Sequence, residues 1–340
     1  MGIASRNGSL EFGRSDLAGG RVLVLGGTGF LGRHLCAAFR SAAARVLSVS
    51  RNASGTDRLD ADSIRLDLAS ASERDLHRLL VSTAPSVVVN AAGRVHEASR
   101  EEMLTANAEF VGRLVRALSL TSERPRLVHL GSVHEYGSGE VGTSFVEDHV
   151  PAPIGAYAES KLLGTRAVLD GARASGLVGT VLRVGNVVGP GAPRQSLLGA
   201  VAHRLAEVGH RSVCPDTRPR LRLTPLRSRR DFVDVRDVAQ AVVATVVAPG
   251  PSVAGRVINV GGGRAVPVRW AVERMIALSG IPLELIEEPP TGPRSDPSWQ
   301  QLDITAARRL LSWHPSLELE ESLSDLLDHA SRSHERRTRR

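Results

Sequence analysis

The chain holds one lysine, two cysteines and two tyrosines in 340 residues, and aromatic residues make up 3% of it. Cys36 and Cys214 give neither a disulfide framework nor a metal-ligand spacing, so no metal site is read and a reducing cytoplasm is the expected setting. No apolar run approaches a membrane span; "AVVATVV" at 241–247 is representative, and no membrane partner is expected. The first 20 residues lack a basic start followed by an apolar core, so no secretory signal is expected. The net charge is +7, yet the aromatics that accompany nucleic-acid binding are scarce, and no RNP, zinc-finger or helix-turn-helix pattern occurs. No nucleic-acid partner is therefore expected. The arginines gather at 216–231 and in the end segment 331–340, which reads as a solvated basic tail.

What is present is a soluble composition, with 42% hydrophobic and 23% charged residues, and enough length for one large domain or two smaller ones. Through residue 190, short apolar runs alternate with stretches of helical periodicity. Strands are predicted at 21–26, 45–50, 63–68, 86–93, 126–132 and 178–186, with helices at 30–42 and about 72–82, 100–120 and 156–175. That alternation defines an α/β protein with a doubly wound parallel (Rossmann) sheet. The predicted organisation is a disordered leader (1–19), a dinucleotide-binding domain (20–190), a mainly substrate-binding portion with returning strands (191–330) and the tail (331–340).

"LGGTGFLGRHL" follows the first strand and opens the first helix, with Gly26, Gly29 and Gly32 spaced G-x-x-G-x-x-G around Thr28, Phe30 and Leu31. Glycines there allow a tight turn and close backbone approach, and the helix N-terminus offers free N–H groups to a pyrophosphate. The second strand ends in Ser50, Arg51 and Asn52, with no carboxylate to meet a ribose 2′-hydroxyl. Arginine suits a 2′-phosphate, so NADP(H) is the preferred cofactor and NAD(H) the alternative; Arg33 is a further candidate for the same phosphate.

The single lysine, Lys161, stands four residues after Tyr157 in "YAESK", so the two share a helix face. An ammonium beside a phenol is expected to lower its pKa and make Tyr157 a proton donor or acceptor at a carbonyl or alcohol oxygen. Ser132, ending the strand "RLVHLGS", is placed to hold that oxygen.

With these residues the chain resembles the extended short-chain dehydrogenases/reductases, the NAD(P)-dependent sugar epimerase and dehydratase superfamily, over about residues 20–325. By that resemblance Ser132, Tyr157 and Lys161 are catalytic. Asp67 and Leu68 in "LDL", Ala91, Ala92 and Gly93 in "NAAG", and Asn107 would contact or support the cofactor. Asn186 in "LRVGNVVGP" would face substrate, and Arg230 and Arg294 would clamp a nucleotide diphosphate, which suits arginine's planar fork. "NVGGG" (259–263) matches the family's later glycine turn, and a homodimer through helices 100–120 and 156–175 is implied.

Sugar dehydratases of this superfamily carry Asp and Glu after the catalytic hydroxyl. Here Val133 and His134 stand there, expected to line the substrate, and Val133 cannot move a proton. The resemblance then favours an NADPH-dependent reductase of a nucleotide-linked keto-sugar, a 4-keto-6-deoxyhexose, of the kind used in deoxysugar biosynthesis. A nucleotide-sugar epimerase with tightly held NAD and a non-catalytic NADP-binding scaffold are the alternatives.

Overall fold

Strands buried on both faces read as near-continuous apolar runs, and the runs of the first 190 residues fold in that way. A computed structural model describes residues 17–51, 62–95, 97–209, 219–289 and 297–338. Its first part contains, in order, β1 (Arg21–Leu25), α1 (Phe30–Ser41), β2 (Arg45–Ser50), β3 (Ser63–Arg65), α2 (Glu73–Thr83) and β4 (Val87–Asn90). It continues through α3 (Arg100–Leu104), a π-helical turn (Thr105–Glu109), α4 (Phe110–Ser119), β5 (Arg126–Ser132), α5 (Gly155–Ser175) and β6 (Gly179–Val184). Ser72 and Ser99 each close a capping box at the starts of α2 and α3, which accounts for where those helices begin.

The remainder comprises β7 (Asn186–Val188), α6 (Leu197–Gly209), β8 (Arg220–Leu223), β9 (Arg229–Asp234), α7 (Val235–Val247) and α8 (Gly250–Val253). After these come β10 (Val257–Val260), β11 (Ala265–Pro267), α9 (Val268–Ser279), β12 (Glu284–Glu287), α10 (Thr305–Leu311) and α11 (Leu319–Thr338).

Seven strands form one sheet in the order β10-β6-β5-β4-β1-β2-β3, and every neighbouring pair is parallel. Chain order reverses between β1 and β4, which opens a crevice at the carboxyl ends of the strands. Side chains of β1 alternate between the two cores: Val22 and Val24 join Phe39 of α1 and Val242 of α7, while Leu23 and Leu25 join Leu76, Phe110 and Val168 on the other face. A third core, with Leu205, Met275 and Leu323 at its centre, unites α6, α9 and α11.

The sheet's seventh strand is β10, which returns from late in the sequence. The predicted glycine turn at 259–263 is therefore half strand: Asn259 and Val260 end β10, paired with Arg183 and Val184 of β6. Two smaller sheets, β11-β9-β7 and β12-β8, lie in the later part of the chain. The basic end expected to be a disordered tail is helical through Thr338, because α11 continues across it. Within the expected leader, Leu17 is buried in the first core and the Gly19 N–H donates to the Ala43 carbonyl (3.0 Å). Residues 1–16, Asn52, Cys214 and Arg294 lie outside the described residues. Among the described residues no helix is long and apolar enough to cross a membrane.

Candidate active site

The glycine loop joins β1 to α1 with no room for side chains. Gly26 sits at φ +83°, and a Cβ at Gly32 would stand 2.1 Å from the Gly26 carbonyl oxygen. Gly29 is the N-cap of α1, which has neither a side-chain cap nor an acidic residue in its first turn. The N–H groups of its first turn and the positive end of its dipole are thus left for an anion. Phe30 and Leu31 turn their side chains into apolar packing and offer only backbone to the loop.

A cleft of about 550 Å³ runs along the strand ends from this loop. Gly26, Thr28 and Gly29 form its floor, Ser50 and the exposed Arg51 its β2 end, and Asp67 and Leu68 its β3 end. Ala91, Ala92 and Gly93 line the side made by β4. Loop, helix start and cleft fit a dinucleotide. Arg94, which sequence reading passed over, also lines the cleft and is ion-paired with Glu102. Only its place directly after "NAAG" could have signalled it.

Asn107 lies at the middle of the π-helical turn and is buried. Its side chain takes the Arg94 N–H (2.8 Å) and donates to the Arg94 carbonyl (2.8 Å) and to Ser160 Oγ (3.0 Å). It therefore braces the cleft wall rather than lining the cleft. Arg33 departs further from expectation. It donates to the Gly191 carbonyl (3.2 Å) and faces a separate depression with Arg194 and His329, because its position on α1 points away from the β2 end.

Ser132, Tyr157 and Lys161 come together at the end of β5. Ser132 is buried at the strand terminus, and its hydroxyl lies near enough to the Tyr157 phenol to pull the phenol's pKa down. The His134 ring meets the Tyr157 ring edge-on, with centroids 5.9 Å apart. Lys161 is buried one turn along α5 and donates from Nζ to the Leu130 carbonyl (2.5 Å). The expected lowering of the Tyr157 pKa does not occur in this geometry. Burial pushes it up, the nearby Ser132 hydroxyl opposes this, and the charge of Glu135 adds to the rise. Burial also brings the Lys161 ammonium down to about 8, against a smaller upward pull from Glu135. Beneath it, His129 is wholly buried and held neutral, first by desolvation and then by the charge of Lys161; its Nδ1 meets Asn90 Nδ2 at 3.1 Å.

The remaining candidates divide. Asn186 is half-buried, and its Nδ2 donates to the Asp231 carbonyl (3.1 Å) and to Gln300 Oε1 (3.3 Å). Arg230 is buried, and its Nη1 donates to the carbonyls of Pro297 (2.5 Å) and Arg229 (3.2 Å). Val133 does not line a substrate space: it is fully buried against Tyr136, Phe145, Leu302 and Ile304, an apolar cluster that backs Ser132.

The chain is similar over nearly its whole length to proteins of known activity. It is 41% identical to the dTDP-6-deoxy-L-talose 4-dehydrogenase (NAD(P)(+)) of Kitasatospora kifunensis over 307 residues, 90% of this chain and 94% of that one. It is 26% identical to the GDP-6-deoxy-D-mannose reductase of Pseudomonas aeruginosa, covering 90% and 96% of the two chains. Among solved structures, MoeE5 in complex with UDP-glucose and NAD superposes with a TM-score of 0.79 at 26% identity, over 92% of this chain and 99% of that one. Residues 22–261 match the NAD dependent epimerase/dehydratase family, and the chain belongs to that family.

Proposed function

We propose that the protein is an NAD(P)-dependent oxidoreductase that interconverts a nucleotide-linked 6-deoxyhexose and its 4-keto form, with NADPH-driven ketone reduction as the favoured direction. What carries this reading is the approach of the Ser132 hydroxyl to the Tyr157 phenol at the carboxyl end of β5, on the same sheet edge as the cleft, with no carboxylic acid at positions 133 and 134. Proton transfer to a single oxygen is within reach of that set. Elimination of water, which needs a further acid–base pair, is not.

When bound, a nicotinamide cofactor would supply hydride to, or remove it from, the sugar carbon. The chain's residues manage the oxygen. Ser132 and Tyr157 hydrogen-bond the keto oxygen, and Tyr157 gives its proton as negative charge develops there. A phenol held above its ordinary pKa by burial stays protonated through neutral pH, as a donor must. Lys161, one turn from Tyr157, is the residue proposed to hold the nicotinamide ribose. Arg51 at the β2 end, without a neighbouring carboxylate on that strand, favours the 2′-phosphate of NADP(H). The relatives support the sugar assignment, since one is a dTDP-6-deoxy-L-talose 4-dehydrogenase and another a GDP-6-deoxy-D-mannose reductase. The talose enzyme makes dTDP the first nucleotide to test.

Oxidation of NADPH and NADH followed with dTDP-, GDP- and UDP-linked 4-keto-6-deoxyhexoses tests the proposal. Stoichiometric cofactor oxidation with one of them is expected. Purified protein that carries NAD tightly and inverts a sugar hydroxyl without added cofactor would replace this reading with an epimerase.

A further inference from the structure

Glu135 follows the catalytic serine by three residues and is completely buried, and the Arg183 side chain on the neighbouring strand β6 is 4% exposed, so this charged pair bears a desolvation cost. The Glu135 carboxylate makes three bonds to three different parts of the site. Oε1 accepts the Ser132 backbone N–H (2.8 Å) and the Thr165 hydroxyl (3.0 Å), and Oε2 accepts Arg183 Nε (2.8 Å). Thr165 stands on α5 four residues past Lys161, so Glu135 ties the serine's strand end directly to the helix that carries Tyr157 and Lys161. The backbone makes room for it: a Cβ on Gly131 would come within 2.7 Å of Oε1. Arg183 is braced in turn by the Tyr136 ring, 4.4 Å from its Cζ, and Tyr136 donates to Asn259 Oδ1 (2.9 Å).

We propose that Glu135, clamped by Arg183, is a positioning residue of the proton-transfer site: its carboxylate locks Ser132 to the catalytic helix and keeps a negative charge beside the Ser132–Tyr157 pair. The charged and titratable groups around it are Arg183 from β6, Tyr136 from its own turn, and Tyr157 and Lys161 from α5; His134 meets Tyr157, and His129 on β5 faces Lys161. Glu135 raises the pKa of both Tyr157 and Lys161, whereas the charge of Arg183 lowers that of Tyr136. The carboxylate therefore helps Tyr157 stay protonated until substrate oxygen needs the proton. The inference rests on the reading of Tyr157 as proton donor.

The test compares wild type with E135Q and with E135Q/R183M, the second variant removing the buried guanidinium that E135Q alone leaves unpaired. The chain has two tyrosines, so near-ultraviolet tyrosinate absorbance against pH, repeated in a Y157F background to subtract Tyr136, reads Tyr157 directly. In both variants the Tyr157 transition is expected to fall by about one pH unit, and kcat for the keto-sugar by about tenfold with the NADPH dissociation constant unchanged. A Tyr157 transition that stays at its wild-type position in the folded double variant would overturn the proposal. Wild-type protein that oxidises NADPH with none of the keto-sugars would count against the proposed reaction, while leaving the tyrosinate titration to decide the role of Glu135.

Discussion

Tyr157 and Lys161 are one helical turn apart on α5, yet they reach different partners: the phenol meets Ser132, and Lys161 Nζ donates to the Leu130 carbonyl (2.5 Å). Ser132 and Leu130 both belong to β5, two residues apart and so on the same face of the strand. The helix and the strand end thereby meet at two points, one of which is the hydroxyl pair proposed to engage substrate oxygen.

Replacing Tyr157 by Phe removes the proton donor and keeps the ring. Turnover of the keto-sugar is expected to fall by about 10² to 10⁴-fold, the range of general acid catalysis. NADPH binding, followed by its fluorescence, should be retained. A Y157F rate within a factor of a few of wild type would exclude Tyr157 as the donor.

Lys161 makes stability depend on pH in a known direction. Its folded-state pKa is about 8 against an ordinary value of 10.5, so between those limits the unfolded chain holds a proton that the folded protein has lost. Stability contributed by this group is therefore absent below about pH 8 and gained as pH rises toward 10.5, by roughly 3 kcal/mol in all. Thermal unfolding of wild type and K161M from pH 7 to 10 should show the variant as the more stable protein at the low end, with the difference narrowing upward. Parallel curves would mean that the ammonium is not desolvated as described.

Arg51 is expected to decide between the two nicotinamide cofactors. R51E removes a charge-assisted phosphate contact and offers a carboxylate to a ribose hydroxyl. The kcat/KM ratio of NADPH over NADH should drop by about 10- to 100-fold, mostly through KM. An unchanged ratio would move 2′-phosphate recognition elsewhere in the cleft.

Gly32 admits no side chain, since a Cβ would stand 2.1 Å from the Gly26 carbonyl oxygen. G32A should cost about 1–3 kcal/mol of stability by overpacking and weaken NADPH binding, because α1 must shift away from the loop it caps. Denaturant unfolding and cofactor titration read the two effects separately. Retention of both would show that the loop has slack which this packing denies.

Much of this architecture can be read from local pattern. β2 and β5 span the residues predicted for them, and α1 and α5 end within a residue of prediction, because their apolar periodicity and their glycine and serine boundaries act over a few neighbours. Ser132, Tyr157, Lys161 and the glycine loop were legible for the same reason: each is fixed by strand-end or helix-face placement. Local pattern also misled. Its place beside Ser132 predicts that Val133 faces substrate, but the 3₁₀ turn at Val133–Tyr136 rotates it into an apolar cluster completed by Leu302 and Ile304, far along the chain.

The amino-acid sequence alone determined the α/β alternation, the dinucleotide loop and the Ser132, Tyr157 and Lys161 set, since these follow from spacing and from what each residue type can do. Tertiary structure decided that β10 completes the sheet, that Arg33 turns from the cleft to Gly191, that Arg94 lines it, and that Glu135 joins Ser132, Thr165 and Arg183. The physical reason is separation along the chain. Burial and charge act between groups that are close in space, and Glu135 and Arg183 lie 48 residues apart until β5 and β6 pair.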